Sequence, residues 1–265
     1  MDGIAVQRTF RRGRDALLVL FCLFASGCGD TPSTNTATVA VAANFLSAAG
    51  ELVADFESNS QYTVKLVSAS TGALYAQIKN GAPFDVLLAA DQERPRRLES
   101  EGLAVTGSRF VYALGALSLC SRDAELPLID GASELQGDFS GRLAIANPAV
   151  APYGVAAEEV LAALQLADRL SQSLVKAESV AQAYVMVATG NVDYGFVARA
   201  SVINDPVRNP ASCWSVPASL HSPLRQEAVL LKRAADNKAA VAFVRYLAGP
   251  DAELIIKRHG YDIER

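Results

Sequence analysis

The chain has 265 residues, of which 51% are hydrophobic and 20% are charged. A chain of this length can bury the core of one large domain or of two ordinary ones, and this composition excludes intrinsic disorder. The formal net charge is -4 and basic residues cluster only at the extreme N-terminus, so the sequence predicts no nucleic-acid partner.

The first 27 residues have the pattern of an export signal. Four arginines precede an apolar run of ten residues at 16–25, which has the length of a signal-peptide core and is too short to span a bilayer. The run leads into Ala25-Ser26-Gly27-Cys28, which resembles the bacterial lipoprotein cleavage box, and there Cys28 would become the lipidated first residue. The alternative is an ordinary secretory signal cut at the same small residues. Both patterns predict export.

The next segment, residues 28–38, is rich in Ser, Thr, Asn and Pro and is predicted to be a flexible tether. Beyond it, strand and helix patterns alternate. In chain order they predict a strand at 38–43, a helix at 45–56, a strand at 62–67, a helix at 72–80 and a strand at 84–89. Single helices between strands imply parallel pairing in a sheet that is covered on both faces.

The middle of the chain changes character, because the apolar run at 109–120 has no helix after it. This is the pattern of a strand that leaves one domain and enters another. Later patterns predict strands at 143–146, 193–197 and 226–231, with helices at 154–164, 180–189, 237–247 and 251–258.

The predicted fold class is therefore α/β, with two Rossmann-like lobes whose mainly parallel sheets are joined by two crossing strands. We expect lobe I to comprise residues 39–112 and 226–265, and lobe II to comprise residues 113–225. A ligand of such a fold binds in the cleft at the carboxyl ends of the strands.

Two of the four cysteines, Cys22 and Cys28, belong to the export segment. The remaining pair, Cys120 and Cys213, has apolar neighbours, and in an oxidising compartment a disulfide is favoured over two buried free thiols. This pair and two histidines are too few for a metal-ion site, so no bare metal cation is expected.

Four strand-to-helix turns carry the candidate ligand-binding residues. The first N–H groups of a helix have no partner within the helix and carry about half a positive charge, so they attract anions. No Lys, Arg or His occurs in these turns, and the site is therefore predicted to hold an anion by neutral dipoles alone. The turns are Asn44, Ser70-Thr71-Gly72, Pro152-Tyr153-Gly154 and Ser179-Val180.

Each turn taken singly also has a simpler explanation. Asn, Ser and Thr are ordinary N-caps of helices, and Ser179 with Gln182 has the spacing of a capping box. The turns alone leave capping and anion binding as alternatives.

Ten short segments, spread over about residues 38–263, are informative together. They are VAANF at 41–45, STG at 70–72, YAQI at 75–78, NGAPFDV at 80–86, AAD at 89–91, NP at 147–148, APYG at 151–154, GFV at 195–197, GP at 249–250 and IIKRHGY at 255–261. In order and spacing these segments resemble the periplasmic molybdate-binding proteins of ABC importers.

The resemblance implies a type II periplasmic-binding-protein fold that closes on a dehydrated tetrahedral dianion, molybdate or tungstate. The metal is then bound only as its oxyanion, and no cofactor is implied. Carried over by position, the contacts fall on Asn44, on Thr71 with Ser70 beside it, and on the backbone N–H groups of Tyr153 and Val180. The cargo would pass to the membrane subunits of an ABC permease.

This sequence departs from the family pattern in two places. Many relatives have Ser at the position of Asn44, and many have a ligand tyrosine at the position of Ala198. We expect Tyr153 to take over part of the role of that missing tyrosine.

Two alternative functions stay open. The site would hold another tetrahedral oxyanion such as sulfate, or the chain would be a non-transport sensor lipoprotein of the same fold. Phosphate keeps a proton at neutral pH and therefore benefits from a carboxylate acceptor in its site. The four turns contain no carboxylate, and the nearby Asp85 and Asp91 are expected to be structural, so phosphate is disfavoured as the ligand.

No catalytic motif occurs, so no enzyme activity is expected. We expect the mature protein to be a monomer in the periplasm or cell envelope that is anchored to the membrane through lipidated Cys28.

Overall fold

The computed structural model describes residues 35–123, 129–205 and 212–264. The predicted signal peptide at 1–27 and the predicted lipidation of Cys28 lie outside these residues. Within them, no helix is long and apolar enough to cross a membrane.

The elements follow the alternation that the sequence predicts, with several additions. The first half consists of β1 (Thr36–Ala42), α1 (Leu46–Ser58), β2 (Thr63–Ala69), α2 (Thr71–Lys79), β3 (Val86–Leu88), α3 (Glu93–Ser100), β4 (Phe110–Gly115) and β5 (Leu117–Ser121). The middle consists of α4 (Gly131–Gln136), β6 (Leu143–Ala146), α5 (Pro152–Ala163), α6 (Ala167–Leu170), β7 (Leu174–Ala177), α7 (Val180–Ala188) and β8 (Tyr194–Ala198). The last part consists of α8 (Arg199–Asn204), β9 (Ser212–Ser215), β10 (Leu224–Leu230), α9 (Lys238–Leu247) and α10 (Pro250–Arg258).

Two five-stranded sheets divide the described chain into two lobes. Lobe I contains the sheet β2-β1-β3-β10-β4, and lobe II contains the sheet β7-β6-β8-β5-β9. In lobe I, β1 runs parallel to β2 and β3, while β10 runs antiparallel to β3 and β4. Lobe II repeats this arrangement, with β6 parallel to β7 and β8, and β5 antiparallel to β8 and β9.

Each sheet is therefore mainly parallel in strand direction, as the sequence predicts, and a single antiparallel strand makes it mixed. The parallel part of each sheet is built by strands that helices connect, and such crossovers return each strand in the same direction. One strand in each sheet, β10 in lobe I and β5 in lobe II, arrives from the other lobe, so no helical crossover sets its direction.

Packing follows from the buried faces of the strands and helices. All residues of β3 and β6 are buried, as expected of central strands with helices on both faces. On α9 the residues Ala239, Ala240, Phe243 and Leu247 recur at helical spacing and are buried. Phe45 lies in the core of lobe I and makes edge-to-face contacts with two tyrosine rings at centroid distances of 4.7 and 5.0 Å.

The apolar run at 109–120 forms two strands in different sheets, because β4 ends at Gly115 and β5 begins at Leu117. We refer to residues 115–117 as the interlobe crossing. The carbonyl of Ala116, between the strands, accepts a hydrogen bond from the Arg199 N–H at 2.9 Å. The chain returns to lobe I through residues 216–223, between β9 and β10.

Cys120 and Cys213 lie directly opposite each other on β5 and β9. A disulfide joins them, with an S–S distance of 2.06 Å. It ties β9, the edge strand of lobe II, to the interior of the sheet.

Candidate functional site

One small cavity lies where helix N-termini of the two lobes meet. The cavity has a volume of only about 10 Å³, far below the range of about 300 to 1,000 Å³ typical of sites for drug-sized ligands. All five residues that the sequence analysis proposed as ligand contacts line it. The lining consists of Ala42, Ala43, Asn44, Ser70, Thr71, Ala90, Ala151, Pro152, Tyr153, Ser179 and Val180.

Strand register explains why these distant residues converge. In lobe I the last residues of β1 and β2, Ala42 and Ala69, are paired with each other. In lobe II the last residues of β6 and β7, Ala146 and Ala177, are paired in the same way. The turns that follow paired strand ends lie side by side, and the two lobes bring their turns to the same place.

The cavity is electrically neutral but rich in oriented N–H groups. None of its lining residues, all within the described parts of the chain, has a charged side chain. Thr71 and Val180 are the first residues of α2 and α7, and Tyr153 is the second residue of α5. N–H groups at these positions lack a partner within their helix and lie at its positive end, so together they favour an anion.

Capping explains one of the polar turn residues and fails for another. Ser179 Oγ accepts a hydrogen bond from the Gln182 N–H at 3.2 Å, so this side chain caps α7. Ser70 occupies the N-cap position of α2, but its hydroxyl makes no capping hydrogen bond. Thr71 Oγ1 accepts from the Ala90 N–H at 3.0 Å, and its own hydroxyl hydrogen can still be donated.

The side-chain amide of Asn44, which was expected to donate to a ligand, already donates to two other side chains. Its Nδ2 group donates to Gln226 Oε1 at 2.9 Å and to the Tyr261 hydroxyl at 3.2 Å. The Tyr261 hydroxyl in turn donates to the backbone carbonyl of Asn44 at 2.6 Å. The amide therefore belongs to a buried network behind the cavity, and it holds the turn that lines the cavity.

The other members of this network, which the sequence did not predict as site residues, are Tyr112, Gln226 and Tyr261. Gln226 is fully buried on β10, and Tyr112 lies on β4 with its hydroxyl 3.1 Å from Gln226 Oε1. The sequence gives little signal for Gln226, because it stands between Arg225 and Glu227 in the polar half of its strand. A buried glutamine needs hydrogen-bond partners, but the pattern does not say which residues supply them.

Burial keeps the phenols of this region neutral. Desolvation raises the pKa of Tyr112 and Tyr261 well above the usual value for tyrosine. Desolvation also raises the pKa of Tyr153, although the hydrogen bond from Gln226 opposes the shift. Since none of these groups ionises near neutral pH, none places a negative charge behind the cavity.

Close backbone approach holds the two lobes together beside the cavity. The Gly72 N–H of lobe I donates to the Val150 carbonyl of lobe II at 2.8 Å. A Cβ atom at Gly72 would lie 2.8 Å from the Cα atom of Val150, so this contact requires glycine. The structure therefore shows the lobes in a closed arrangement.

Comparison with known proteins agrees with this architecture. The model of the family described as bacterial extracellular solute-binding protein matches residues 37–262. The chain belongs to this family. The family resemblance inferred from the sequence is thereby confirmed.

Individual members of this family extend the comparison. The molybdate-binding protein ModA of Azotobacter vinelandii is 46% identical over 226 residues, which cover 85% of this chain and 89% of that protein. ModA of Rhodobacter capsulatus is 41% identical over 97% of this chain and 98% of its own length. The solved structure of the A. vinelandii periplasmic molybdate-binding protein matches with a TM-score of 0.81 and 39% identity, covering 86% of this chain and 100% of that one.

Proposed function

We propose that this chain captures molybdate or tungstate in the cavity between its lobes and delivers it to an ABC permease. The observation that carries the proposal is the convergence of helix N-termini from both lobes on a small cavity that has no charged side chain. The relatives named above support molybdate as the ligand. The same relatives support a binding function in the cell envelope and no catalytic one.

The chemistry of the lining suits a fully deprotonated dianion. Such an ion needs only donors, whereas phosphate brings a proton that requires an acceptor. The nearby carboxylates are engaged elsewhere. Asp85 accepts from the Thr38 N–H at 2.7 Å and from Arg233 at 2.8 Å, and Asp91 accepts twice from Arg94 at 2.9 Å.

The proposed contacts are the hydroxyls of Ser70 and Thr71, the turn at Asn44, and the backbone N–H groups of Tyr153 and Val180. We also propose that lobe I comprises residues 39–112 and 226–265 and that lobe II comprises residues 113–225. In the structure, β4 and β10 extend the sheet of lobe I to Gly115 and Leu224. The proposal includes a monomer exported to the periplasm and anchored through Cys28.

Titration of the purified protein with molybdate, tungstate, sulfate and phosphate tests this function. A ligand present at 100 times its dissociation constant stabilises the folded state by about 2.7 kcal/mol. We expect that molybdate and tungstate raise the unfolding temperature at micromolar concentrations and that phosphate does not. Stabilisation by sulfate alone would assign the site to a different oxyanion, and no stabilisation by any of the four would contradict the proposal.

Ser70→Ala should weaken molybdate binding without weakening the fold. The Ser70 hydroxyl does not cap α2, so alanine removes only a donor, and a bond to a charged group contributes about 1.5 to 3 kcal/mol. Calorimetry should show a dissociation constant about 10 to 150 times higher.

Asp130→Ala is the matched control for this prediction, because the Asp130 side chain caps α4 and lies outside the cavity lining. It removes a true cap and should lower the free energy of unfolding by about 1 kcal/mol, with little change in affinity. If the two variants exchanged these effects, the assignment of Ser70 to the site would be wrong.

Salt should affect binding only weakly. Because no charged side chain lines the cavity, added NaCl has no nearby ion pair to screen. We expect less than about a twofold change in molybdate affinity between 50 and 500 mM NaCl, measured by calorimetry. A steep dependence would indicate Lys or Arg side chains that contact the ligand.

A further inference from the structure

Tyr153 extends from the cavity to the boundary between the lobes. Its backbone belongs to the first turn of α5 in lobe II, while its hydroxyl accepts a hydrogen bond from Gln226 Nε2 of lobe I at 3.3 Å. A Cβ atom at Gly115 would lie only 2.2 Å from the same hydroxyl oxygen. The phenol therefore packs against the interlobe crossing at Gly115, where the lack of a side chain leaves room for the hydroxyl.

The amide of Gln226 is held in one orientation by lobe I. Its Oε1 atom accepts from Asn44 Nδ2 at 2.9 Å and from the Tyr112 hydroxyl at 3.1 Å. The Nε2 group must then face Tyr153, and the side chain is fully buried. Lobe I thus presents one fixed donor to lobe II at this position.

We propose that Tyr153 and Gln226 are positioning residues that form an interlobe latch, and that the Tyr153 hydroxyl acts on lobe closure instead of donating to the ligand. The proposal rests on the proposed function, because closure is what retains the oxyanion. The latch links the two halves of the site, since Gln226 also holds the Asn44 turn and Tyr153 also presents its backbone N–H to the cavity.

Tyr153→Phe tests the latch because it removes one oxygen atom and keeps the ring and the backbone N–H. A neutral hydrogen bond contributes about 0.5 to 1.5 kcal/mol, so the molybdate dissociation constant should rise about 2- to 10-fold. The change should lie in the dissociation rate and should be equal for molybdate and tungstate.

Two other roles for the hydroxyl give different results in the same assay. A direct bond to the ligand would change the ratio of the molybdate and tungstate affinities, and a purely structural role would lower the unfolding temperature without altering dissociation. Either result would overturn the latch. Tyr246→Phe is the matched control, because the Tyr246 hydroxyl donates to Asp55 within lobe I at 2.7 Å and is remote from the cavity lining.

Gly115→Ala provides a second, independent test. The added methyl group would lie 2.2 Å from the Tyr153 hydroxyl oxygen and 2.8 Å from Gln226 Nε2, so it should weaken binding more than 10-fold in the background that keeps Tyr153. In the Tyr153→Phe background the same substitution should cost several-fold less. An equal cost in both backgrounds would show that the hydroxyl does not occupy this contact, and the proposal would be wrong.

Hydrogen exchange measures lobe opening in the absence of ligand, so it tests the latch independently of which ligand the protein binds. The Gly72 N–H bonds to Val150 across the lobes, so its exchange rate reports how often the lobes separate. In protein without any anion, Tyr153→Phe should speed exchange at Gly72 and Tyr246→Phe should not. If the wild type bound none of the four oxyanions and this difference persisted, the proposed function would fail and the latch would stand. Unchanged exchange together with unchanged dissociation would overturn the latch.

Discussion

Gly154→Ala is expected to weaken molybdate binding strongly and to destabilise lobe II. A Cβ atom at Gly154 would lie 2.1 Å from the carbonyl oxygen of Ala146 and 2.9 Å from the backbone nitrogen of Pro148. Both atoms belong to the backbone at the end of β6, so no side-chain rotation can relieve the contact. The first turn of α5 must shift, and the Tyr153 N–H shifts with it.

Overpacking of this kind costs about 1 to 3 kcal/mol in stability. Displacing an N–H that bonds a charged ligand costs about 1.5 to 3 kcal/mol in affinity, which corresponds to a dissociation constant about 10 to 150 times higher. Denaturant unfolding and calorimetry on the same preparation measure the two effects separately.

Gly50→Ala is the control for this substitution. Gly50 lies within α1, and a Cβ atom there meets no atom within 4 Å. Alanine should therefore stabilise the protein by about 0.5 to 1 kcal/mol and leave binding unchanged. If the Gly154→Ala protein bound molybdate with wild-type affinity, the first turn of α5 would not belong to the binding site.

The elements with strong apolar periodicity could be predicted from the sequence, and those with polar surfaces could not. The helix at 45–56 and the strand at 143–146 agree with α1 and β6 to within a few residues. Helix α3 has no such pattern, because only Pro95 and Leu98 of this charged helix are buried. The edge strand β9 has only four residues, which is too short for a clear alternation of buried and exposed positions.

The candidate site shows a similar division between local and long-range information. The turns at 44, 70–72 and 152–154 are local features of strand-to-helix junctions, so the sequence could indicate them. The network that supports them depends on contacts between residues far apart in the chain, such as Asn44 with Gln226 and Tyr261. Since no local pattern encodes such partners, the sequence did not predict that the Asn44 amide donates to Gln226 and Tyr261.

Removing the disulfide should produce the second large effect, and it should fall on stability alone. Cys120 and Cys213 are 93 residues apart in sequence, and a cross-link that closes a loop of about 100 residues stabilises by about 4.7 kcal/mol in the chain-entropy model. Measured losses are usually smaller, so Cys120→Ala with Cys213→Ala should lower the free energy of unfolding by about 2 to 5 kcal/mol.

Binding should survive this change under conditions where the protein stays folded. The cavity lining contains no residue of β5 or β9, the two strands that the disulfide joins. Denaturant unfolding with and without reductant is the measurement: reductant should lower the midpoint of the wild type to that of the double variant, and it should leave the double variant unchanged. Equal midpoints for oxidised wild type and double variant would show that the cross-link does not stabilise lobe II, and a large loss of molybdate affinity would show that β9 supports the site.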